Sequence, residues 1–397
     1  MDVVNVMNLF SYRYRLIHAL VEKMVAFIAK MLPERGSLPV GCSPRRILVL
    51  KFGGMGEAVL ARSLMDRLKE RNPQISVDFL VEERTAETMT CGSRQNVFRY
   101  SPKSDGLLKA IKVLIAVRRQ RYDAVLDFEQ HSLLTALFTR ATSAPIRLGF
   151  VPSEQNNREK MFTQPVQLNE NESMWAAFVR MGRILDPGLP QPLMTVPLPV
   201  SRSTEEWLHE WWKSRVRTSA PVVAMHLGVG PSAQYRRWPV ARFVELASAM
   251  VARQPNLTIL LTGGKSERSF IEEFKGRFSG EMVEAIELGG IERTCAVLRR
   301  CDLLVSADTG IMHLAAAMAT PTVGLFGPNT PDCWAPVGVR STYVYARKQL
   351  CSPCINSYKR QIPDQCTAER EGACMWDIEV DDVLMAAKQV IHGEWLG

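Results

Sequence analysis

The chain has 397 residues, 46% of them hydrophobic and 23% charged, a composition typical of a soluble globular protein with two domains. No run approaches the roughly 20 apolar residues of a membrane-spanning helix. No Arg/Lys-rich recognition helix or aromatic RNA-binding motif occurs, so a nucleic-acid partner is not expected. The net charge of +8 favours nucleotides, phosphorylated sugars or a membrane surface as partners. An odd count of nine cysteines without a cleavable signal peptide predicts a reducing cytoplasm.

Residues 1–40 carry the pattern of an amphipathic helix ahead of the first domain. Basic residues lie off an apolar stripe whose spacing alternates between four and three residues. The stripe comprises Phe10, Tyr14, Ile17, Val21, Met24, Ile28 and Met31. A basic amphipathic helix either lies in a membrane interface or packs on the protein or on a second subunit. The pattern leaves both interpretations open.

Short apolar runs then alternate with helical stretches, which predicts an α/β fold with doubly wound parallel sheets. In the first domain, residues 41–185, the predicted strands are Ile47–Leu50, Val77–Val81, Val125–Phe128 and Ile146–Phe150. Asp127 and Glu129 stand at the end of the third of these strands. Because ligands bind outside the carboxyl ends of parallel strands, both side chains are candidates for a site there.

A glycine-rich turn, Gly53-Gly54-Met55-Gly56, joins the first strand to a helix whose first turn contains Glu57. It is not the Gly-x-Gly-x-x-Gly of dinucleotide-binding proteins, and it lacks the Gly-Lys-Ser/Thr ending of a P-loop. A nicotinamide or ATP site is therefore not indicated. Glycines at this position let the helix begin close to a bound ligand.

Residues 186–200 are the predicted linker, because prolines at this density cannot continue a helix or a central strand. The second domain is predicted over residues 201–397. Its predicted strands are Val222–His226, Leu257–Thr262, Ala285–Leu288, Leu303–Ser306 and Thr322–Phe326.

The stretch Ser306–Ala317 leads from a buried strand into a helix through Asp308, Thr309 and Gly310. A helix that begins in this way presents free N–H groups and a partial positive charge, which suit a phosphate. His313 lies about one turn into the helix. An N-capped core helix in which His313 bonds a carbonyl is the alternative, and the segment alone does not decide between them.

Four cysteines fall within the proline-containing stretch 351–374: Cys351, Cys354, Cys366 and Cys374. In a reducing compartment such a group is a metal site or a set of free thiols rather than disulfides. The Cys-x2-Cys pair has zinc-knuckle spacing, although the second pair does not match it. The sequence leaves open a structural zinc or iron, expected away from the chemistry.

Several segments, in this order and spacing, resemble the ADP-heptose:lipopolysaccharide heptosyltransferases, glycosyltransferase family 9. They are Arg46–Glu57, His226–Gly230, Gln234–Pro239, Ser306–Ala317 and Pro321–Pro328. The resemblance runs from about residue 45 to the C-terminus, and the Asp-Thr-Gly-x-x-His stretch is its most specific part.

The resemblance implies a GT-B architecture, two Rossmann-like domains facing a central cleft, with the acceptor on the first domain and the nucleotide sugar on the second. It implies inverting, metal-independent transfer of a heptose from ADP-heptose to a lipopolysaccharide core or related glycolipid acceptor. The expected location is cytoplasmic, with peripheral contact at the inner membrane. A transferase for another nucleotide sugar and a catalytically silent nucleotide-sugar-binding or scaffold protein are the alternatives.

Glu57 is the implied general base, because a sugar hydroxyl needs a carboxylate to accept its proton as the new bond forms. The family usually carries Asp here, and Glu is longer by about one C–C bond, roughly 1.5 Å. A glutamate stabilised by the helix dipole is the structural alternative. Asp127 is the reserve candidate for the base.

The leaving diphosphate needs fixed positive groups, and the resemblance implies a donor site in the second domain. Arg236 stands where the family commonly has Lys and can grip two phosphate oxygens. Glu267 could accept hydrogen bonds from ribose hydroxyls. The full expected donor set is Arg236, Gly263, Gly264, Glu267, Asp308, Thr309, Gly310 and His313.

Overall fold

The computed structural model describes residues 23, 24, 27, 31 and 43–391, except residues 93–94, 153–157, 171, 218–219 and 231–232. The amphipathic helix expected over residues 1–40 therefore lies largely outside the described residues, of which Lys23, Met24, Phe27 and Met31 are helical. Among the helices that are described, none is long and apolar enough to span a membrane.

The first sheet is formed by six parallel strands in the order β3-β2-β1-β4-β5-β6. They are β1 (Arg46–Lys51), β2 (Ser76–Val81), β3 (Val97–Arg99), β4 (Ala124–Asp127), β5 (Ile146–Val151) and β6 (Gln164–Gln167). The accompanying helices are α1 (Met55–Arg71), α2 (Glu83–Thr90), α3 (Leu107–Arg119), α4 (Leu133–Ala141) and α5 (Met174–Leu185). Helices on both faces bury the central strands, which is why β1 reads as one apolar run, Ile47 to Leu50.

The second sheet repeats this design with six parallel strands in the order β12-β11-β10-β7-β8-β9. They are β7 (Val222–His226), β8 (Thr258–Gly263), β9 (Met282–Ile286), β10 (Leu303–Ala307), β11 (Thr322–Phe326) and β12 (Ser341–Tyr345). Its helices are α6 (Arg202–Lys213), α7 (Val240–Arg253), α8 (Arg268–Lys275), α9 (Ile291–Arg299), α10 (Gly310–Ala317), α11 (Pro331–Trp334), α12 (Ala373–Trp376) and α13 (Val380–Val390). In chain order both sheets have the doubly wound arrangement 3-2-1-4-5-6.

The prediction of two doubly wound parallel sheets is confirmed, and the predicted central strands agree with the observed ones within one or two residues. Three strands were missed, β3, β6 and β12, and all three lie at sheet edges where partial exposure weakens the apolar signal. The strand expected at Ala285–Leu288 instead covers Met282–Ile286. It ends there because Glu287 has a left-handed φ of 47°, which a strand cannot continue.

Contacts within the chain divide it into two compact units. One contains the described residues up to Gly54 together with Met65–Asn169 and Ala177–Leu189. The other contains Met55–Leu64, Glu170–Ala176 and the residues from Pro190 onward. The first ten residues of α1 therefore belong to the same unit as the second sheet.

Candidate functional site

The carboxylate of Glu129 stabilises the turn between β1 and α1 through three hydrogen bonds. Its Oε1 accepts hydrogen bonds from Lys51 Nζ at 2.7 Å and from the N–H groups of Phe52 and Gly53, both at 2.9 Å. Burial opposes ionisation, but the Lys51 ammonium and these donors keep the pKa of Glu129 below its usual value. Gly54, with a φ of 70°, then lets the chain enter α1. Glu129 thus shapes the turn that leads to Glu57.

Asp127, the reserve candidate for the base, is completely buried. Its carboxylate accepts hydrogen bonds from Thr135 Oγ1 at 2.8 Å, Arg158 Nη2 at 3.1 Å and the Glu129 N–H at 3.0 Å. Burial raises the pKa of Asp127 to about 6, although Arg158 opposes the shift. A carboxylate enclosed in this way has no exposed oxygen for an acceptor hydroxyl, so its position indicates a structural role and does not support Asp127 as the reserve candidate for the base.

The first turn of α1 lies against the start of α10. The Gly56 Cα packs on the imidazole of His313, where an added Cβ would stand 2.5 Å from Cδ2. The side chain of Met55 packs against Gly310 in the same way. The structure therefore brings the turn that carries Glu57 beside the expected phosphate-binding helix start, within one unit.

The position of α10 is fixed by its burial, since every residue from Met312 to Ala317 is buried. The helix begins after Thr309, whose backbone is extended, and it ends where Ala319 adopts a left-handed φ of 62°. The Thr309 hydroxyl lies 3.0 Å from Ser306 Oγ and does not cap the helix. Uncapped N–H groups at a rigid helix start can bind an anion.

Arg236 and Asp308 are neighbours at the carboxyl end of the second sheet. Arg236 Nη1 lies 3.4 Å from Asp308 Oδ2, and the same oxygen accepts a hydrogen bond from Asn329 Nδ2 at 2.7 Å. Asn329 was not predicted from the sequence. It follows directly after the turn at the end of β11, so the tendency of ligands to bind at the carboxyl ends of parallel strands would have indicated it. The expected cation and the expected phosphate-binding segment are thus brought together.

Glu267 lies beside the end of β8, with its carboxylate directed to neighbouring groups. It accepts hydrogen bonds from the Gly264 N–H and from Ser266 Oγ, both at 2.8 Å. Gly263 and Gly228 both pack against the Glu267 side chain. The structure places Gly263, Gly264 and Glu267 at one strand end, and the contact of Glu267 with ribose remains a prediction.

The cysteine-containing loop, residues 351–374, packs directly on segments expected to bind the donor. The Tyr235 hydroxyl, next to Arg236, donates to the Pro363 carbonyl at 2.7 Å. The Cys354 N–H donates to the Pro328 carbonyl at 3.0 Å, and Cys374 packs against Gly327. The loop thus contacts the turn after β11 and the turn that carries Arg236, which does not support the expectation that it lies away from the chemistry.

The same loop reaches the neighbourhood of Glu57 through Tyr358. The Tyr358 hydroxyl donates to the Glu172 carbonyl at 2.7 Å, and the ring is buried. Burial raises the pKa of Tyr358, and the charges of Cys333, Glu172 and Glu57 add to this rise. Tyr358 gave no sequence signal, because the path of an irregular loop cannot be read from residue pattern.

The four loop cysteines are free thiols that lie close enough to influence one another. Burial and then Cys354, Cys351 and Cys366 raise the pKa of the Cys374 thiol to about 12. Within the described ranges, no group of three or more His, Cys, Asp or Glu residues is arranged to hold a metal ion. The arrangement is a thiol cluster without metal-site geometry.

Two doubly wound sheets define an α/β protein of the class whose ligands bind at the carboxyl ends of the strands, where this chain has a basic side chain and an uncapped helix start. The model of glycosyltransferase family 9 (heptosyltransferase) matches residues 111–362. The chain belongs to this family and is a glycosyltransferase.

Curated relatives match over most of their length. Lipopolysaccharide heptosyltransferase 1 of Campylobacter coli is 19% identical over 355 residues, which cover 88% of this chain and 100% of the relative. Lipopolysaccharide heptosyltransferase 2 of Salmonella typhimurium is 23% identical over 317 residues, covering 75% of this chain and 87% of the relative.

Solved structures support the fold. The ADP-heptose lps heptosyltransferase II of E. coli superposes with a TM-score of 0.67 at 19% identity, covering 87% of this chain and 98% of that chain. The dodecameric iron-containing heptosyltransferase TibC of E. coli, in complex with ADP-D-beta-D-heptose, superposes with a TM-score of 0.53 at 11% identity, covering 91% of this chain and 78% of that chain.

Proposed function

We propose that this glycosyltransferase moves a heptose from ADP-heptose to a lipopolysaccharide core or a related glycolipid, with inversion at the anomeric carbon. The observation that carries the proposal is the packing of Gly56, next to Glu57, on His313 of α10. It puts a carboxylate-bearing turn beside a helix start suited to a diphosphate. Membership of the heptosyltransferase family and the relatives' names support the choice of sugar.

In the proposed reaction the acceptor hydroxyl oxygen attacks the anomeric carbon from the face opposite the diphosphate. The carbon–oxygen bond to the diphosphate breaks, and ADP leaves with the bonding electrons. Glu57 takes the hydroxyl proton as the new bond forms. Arg236 and the N–H groups at Thr309 and Gly310 stabilise the charge that grows on the leaving diphosphate.

We assign donor binding to the domain of the second sheet, over residues 201–397, and acceptor binding to that of the first, over residues 41–185. Arg236 beside Asp308 supports the donor assignment. Since Arg236 supplies a cation for the leaving group, we propose that the transfer itself requires no metal. Full activity after EDTA treatment would agree with this, whereas activity restored only by a divalent cation would contradict it.

For the cysteine loop we propose a structural zinc or iron, held by Cys351, Cys354, Cys366 and Cys374. The mutual influence of the four thiols and the iron in the neighbour TibC support this. In the described part of the chain the four thiols are not arranged to hold a metal ion, so the loop would have to change conformation when the metal binds.

The test of the proposed function is calorimetry with a panel of nucleotide sugars, with transfer to a lipopolysaccharide core acceptor measured in parallel. Preferential binding and turnover of ADP-heptose is expected. Turnover of a different nucleotide sugar would retain the glycosyltransferase and replace the donor. Binding without transfer to any core acceptor would favour a silent binding protein, the alternative raised by Glu57 in place of the family's usual Asp.

A further inference from the structure

The short helix α11 presents two consecutive side chains to the neighbourhood of Glu57. Cys333 contacts Tyr358, the loop residue whose pKa is sensitive to Glu57. Trp334 packs edge-on against His313, with ring centroids 6.3 Å apart and planes at 74°. His313 in turn contacts Gly56. Trp334 therefore belongs to the same set of side chains as the proposed base, although no motif marked it.

Two polar atoms in this set are buried without a hydrogen-bond partner among the described residues: Trp334 Nε1 and His313 Nδ1. The residues themselves are 7% and 4% exposed. A buried polar atom left unpaired costs about 1–3 kcal/mol, and each one in a native protein calls for an explanation. Because the two rings pack edge to face, one polar group would satisfy both atoms once a small ring movement opens the two nitrogens, which are closed to solvent as they stand.

The chemistry of the two atoms selects the bridging group. An indole N–H only donates, whereas a neutral imidazole has one nitrogen that accepts. Burial lowers the pKa of His313 despite the nearby Asp308, so the ring is neutral near pH 7. A hydroxyl can accept from the indole and donate to the imidazole at the same time. A phosphate oxygen only accepts, so it satisfies Nδ1 only in the tautomer that carries the proton there, whereas a hydroxyl satisfies either tautomer.

The position selects the source of the hydroxyl. His313 touches the residue next to Glu57, whereas Arg236 contacts Asp308, which precedes Thr309 and Gly310 in the chain. The first location is where the reacting sugar must lie if Glu57 is the base, and the second suits the diphosphate.

We propose that Trp334 and His313 together hold one hydroxyl of the transferred sugar, which makes Trp334 a residue that determines donor-sugar specificity. The proposal rests on the function given above, since it needs a sugar beside Glu57. Trp334 contributes to recognition of the sugar and not to binding of the nucleotide.

The test is Trp334→Phe, which keeps a ring against His313 and removes the N–H. We expect affinity for ADP-heptose to fall about tenfold, as for loss of one well-formed hydrogen bond, while affinity for ADP stays within about twofold. Calorimetry with both ligands measures the difference, and ADP binding reports that the variant is folded. Trp207→Phe is the matched control, because Trp207 on α6 packs on Arg293 and should leave both affinities unchanged.

Deoxy analogues of ADP-heptose locate the hydroxyl. The analogue that lacks the hydroxyl bound by Trp334 should have equal affinity for the wild type and for Trp334→Phe, because the hydrogen-bond partner of the indole is already absent. Equal losses of affinity for ADP and ADP-heptose would overturn the proposal. No loss of affinity for either ligand would also overturn it and would leave a buried water as the bridge. If the wild type binds ADP-heptose and transfers the heptose, and Trp334→Phe has the same affinities, only this inference fails. If the wild type binds no nucleotide sugar, the proposed function fails with it.

Discussion

Glu57 is the third residue of α1, and its proposed role gives the sharpest prediction at the scale of one side chain. Glu57→Gln removes the proton acceptor while keeping size and shape, so we expect kcat to fall about 10²–10⁴-fold. Affinity for ADP should stay within a few-fold, because the base acts on the acceptor's proton.

Glu70→Gln, in the last turn of the same helix, is the matched control, since Glu70 pairs with Arg67 on the surface. Near wild-type turnover by Glu57→Gln would show that the base lies elsewhere.

Asp127 makes a prediction about pH. Its folded-state pKa of about 6 lies above the unfolded value of about 3.9, so its contribution to stability is full below pH 4 and is lost as pH rises towards 6. The shift corresponds to about 3 kcal/mol at most. We expect the free energy of unfolding of Asp127→Asn to lack this loss between pH 4 and 6, measured by urea titration against wild type.

Parallel curves for the two proteins would show that Asp127 does not titrate as its burial requires. Complete loss of turnover by a folded Asp127→Asn would return Asp127 to the list of bases.

Residue patterns predicted that Asp308, directly after β10, and Arg236, in the loop after β7, lie at the carboxyl end of the second sheet. They did not predict which groups are enclosed. Asp127 stands at a strand end like Asp308, yet Arg158, 31 residues further along the chain, covers it. Trp334 and Tyr358 were missed because no local pattern encodes the ring contact of Trp334 with His313 or the electrostatic influence of Glu57 on Tyr358.

At the scale of elements, the close approach of α1 to α10 depends on the absence of a side chain at Gly56. Gly56→Ala would put a methyl group 2.5 Å from His313 Cδ2, so either the ring or the helix start must move. We expect turnover to fall at least tenfold, since displacements of about 1 Å are costly in a catalytic arrangement.

Gly106→Ala is the control, because nothing lies within 4 Å of the added methyl group and its backbone φ of −87° suits alanine. Equal activity of both variants would show that the Gly56 contact with His313 is not needed for transfer.

The contacts of the cysteine loop predict that loss of a metal from the loop would also affect nucleotide binding near Arg236. With the proposed metal bound, purified protein should contain close to one equivalent of zinc or iron, by elemental analysis, and Cys354→Ser should lose it. Chelation should lower the melting temperature, because the metal-binding energy is then folding energy. It should also weaken ADP binding, since the loop holds Tyr235 beside Arg236.

Cys301→Ser is the control for metal content, because Cys301 lies outside the loop at the end of α9. Metal-free protein with four titratable thiols and unchanged melting would mean that these cysteines are unligated.

At the scale of the whole molecule, the net charge of +8 and the basic amphipathic pattern over residues 1–40 predict association with anionic membranes. Deleting residues 1–35 should reduce sedimentation with anionic vesicles, and raising the salt concentration should weaken binding of the full chain. Equal binding by both proteins would assign the segment to packing or to contact with a second subunit.

The two sheets could be predicted because central strands in doubly wound folds are continuous apolar runs. Edge strands such as β6, with only Val166 buried among its four residues, carry too weak a signal. The division of α1 between two compact units could not be predicted either, because an apolar helix face does not identify the core on which each of its turns packs.

The division of α1 between two compact units limits where fragments and chimeras of this protein can begin and end. A fragment starting at Pro190 contains the whole second sheet, yet it lacks Met55–Leu64 and Glu170–Ala176, which belong to the same compact unit. It would lose the glycine that packs on His313 and the Ser63 hydroxyl that bonds the Val196 backbone. Swapping donor specificity between related enzymes at the proline-rich boundary would therefore separate the imported pocket from the helical turn shaped to fit it. A working chimera has to exchange three stretches of sequence together.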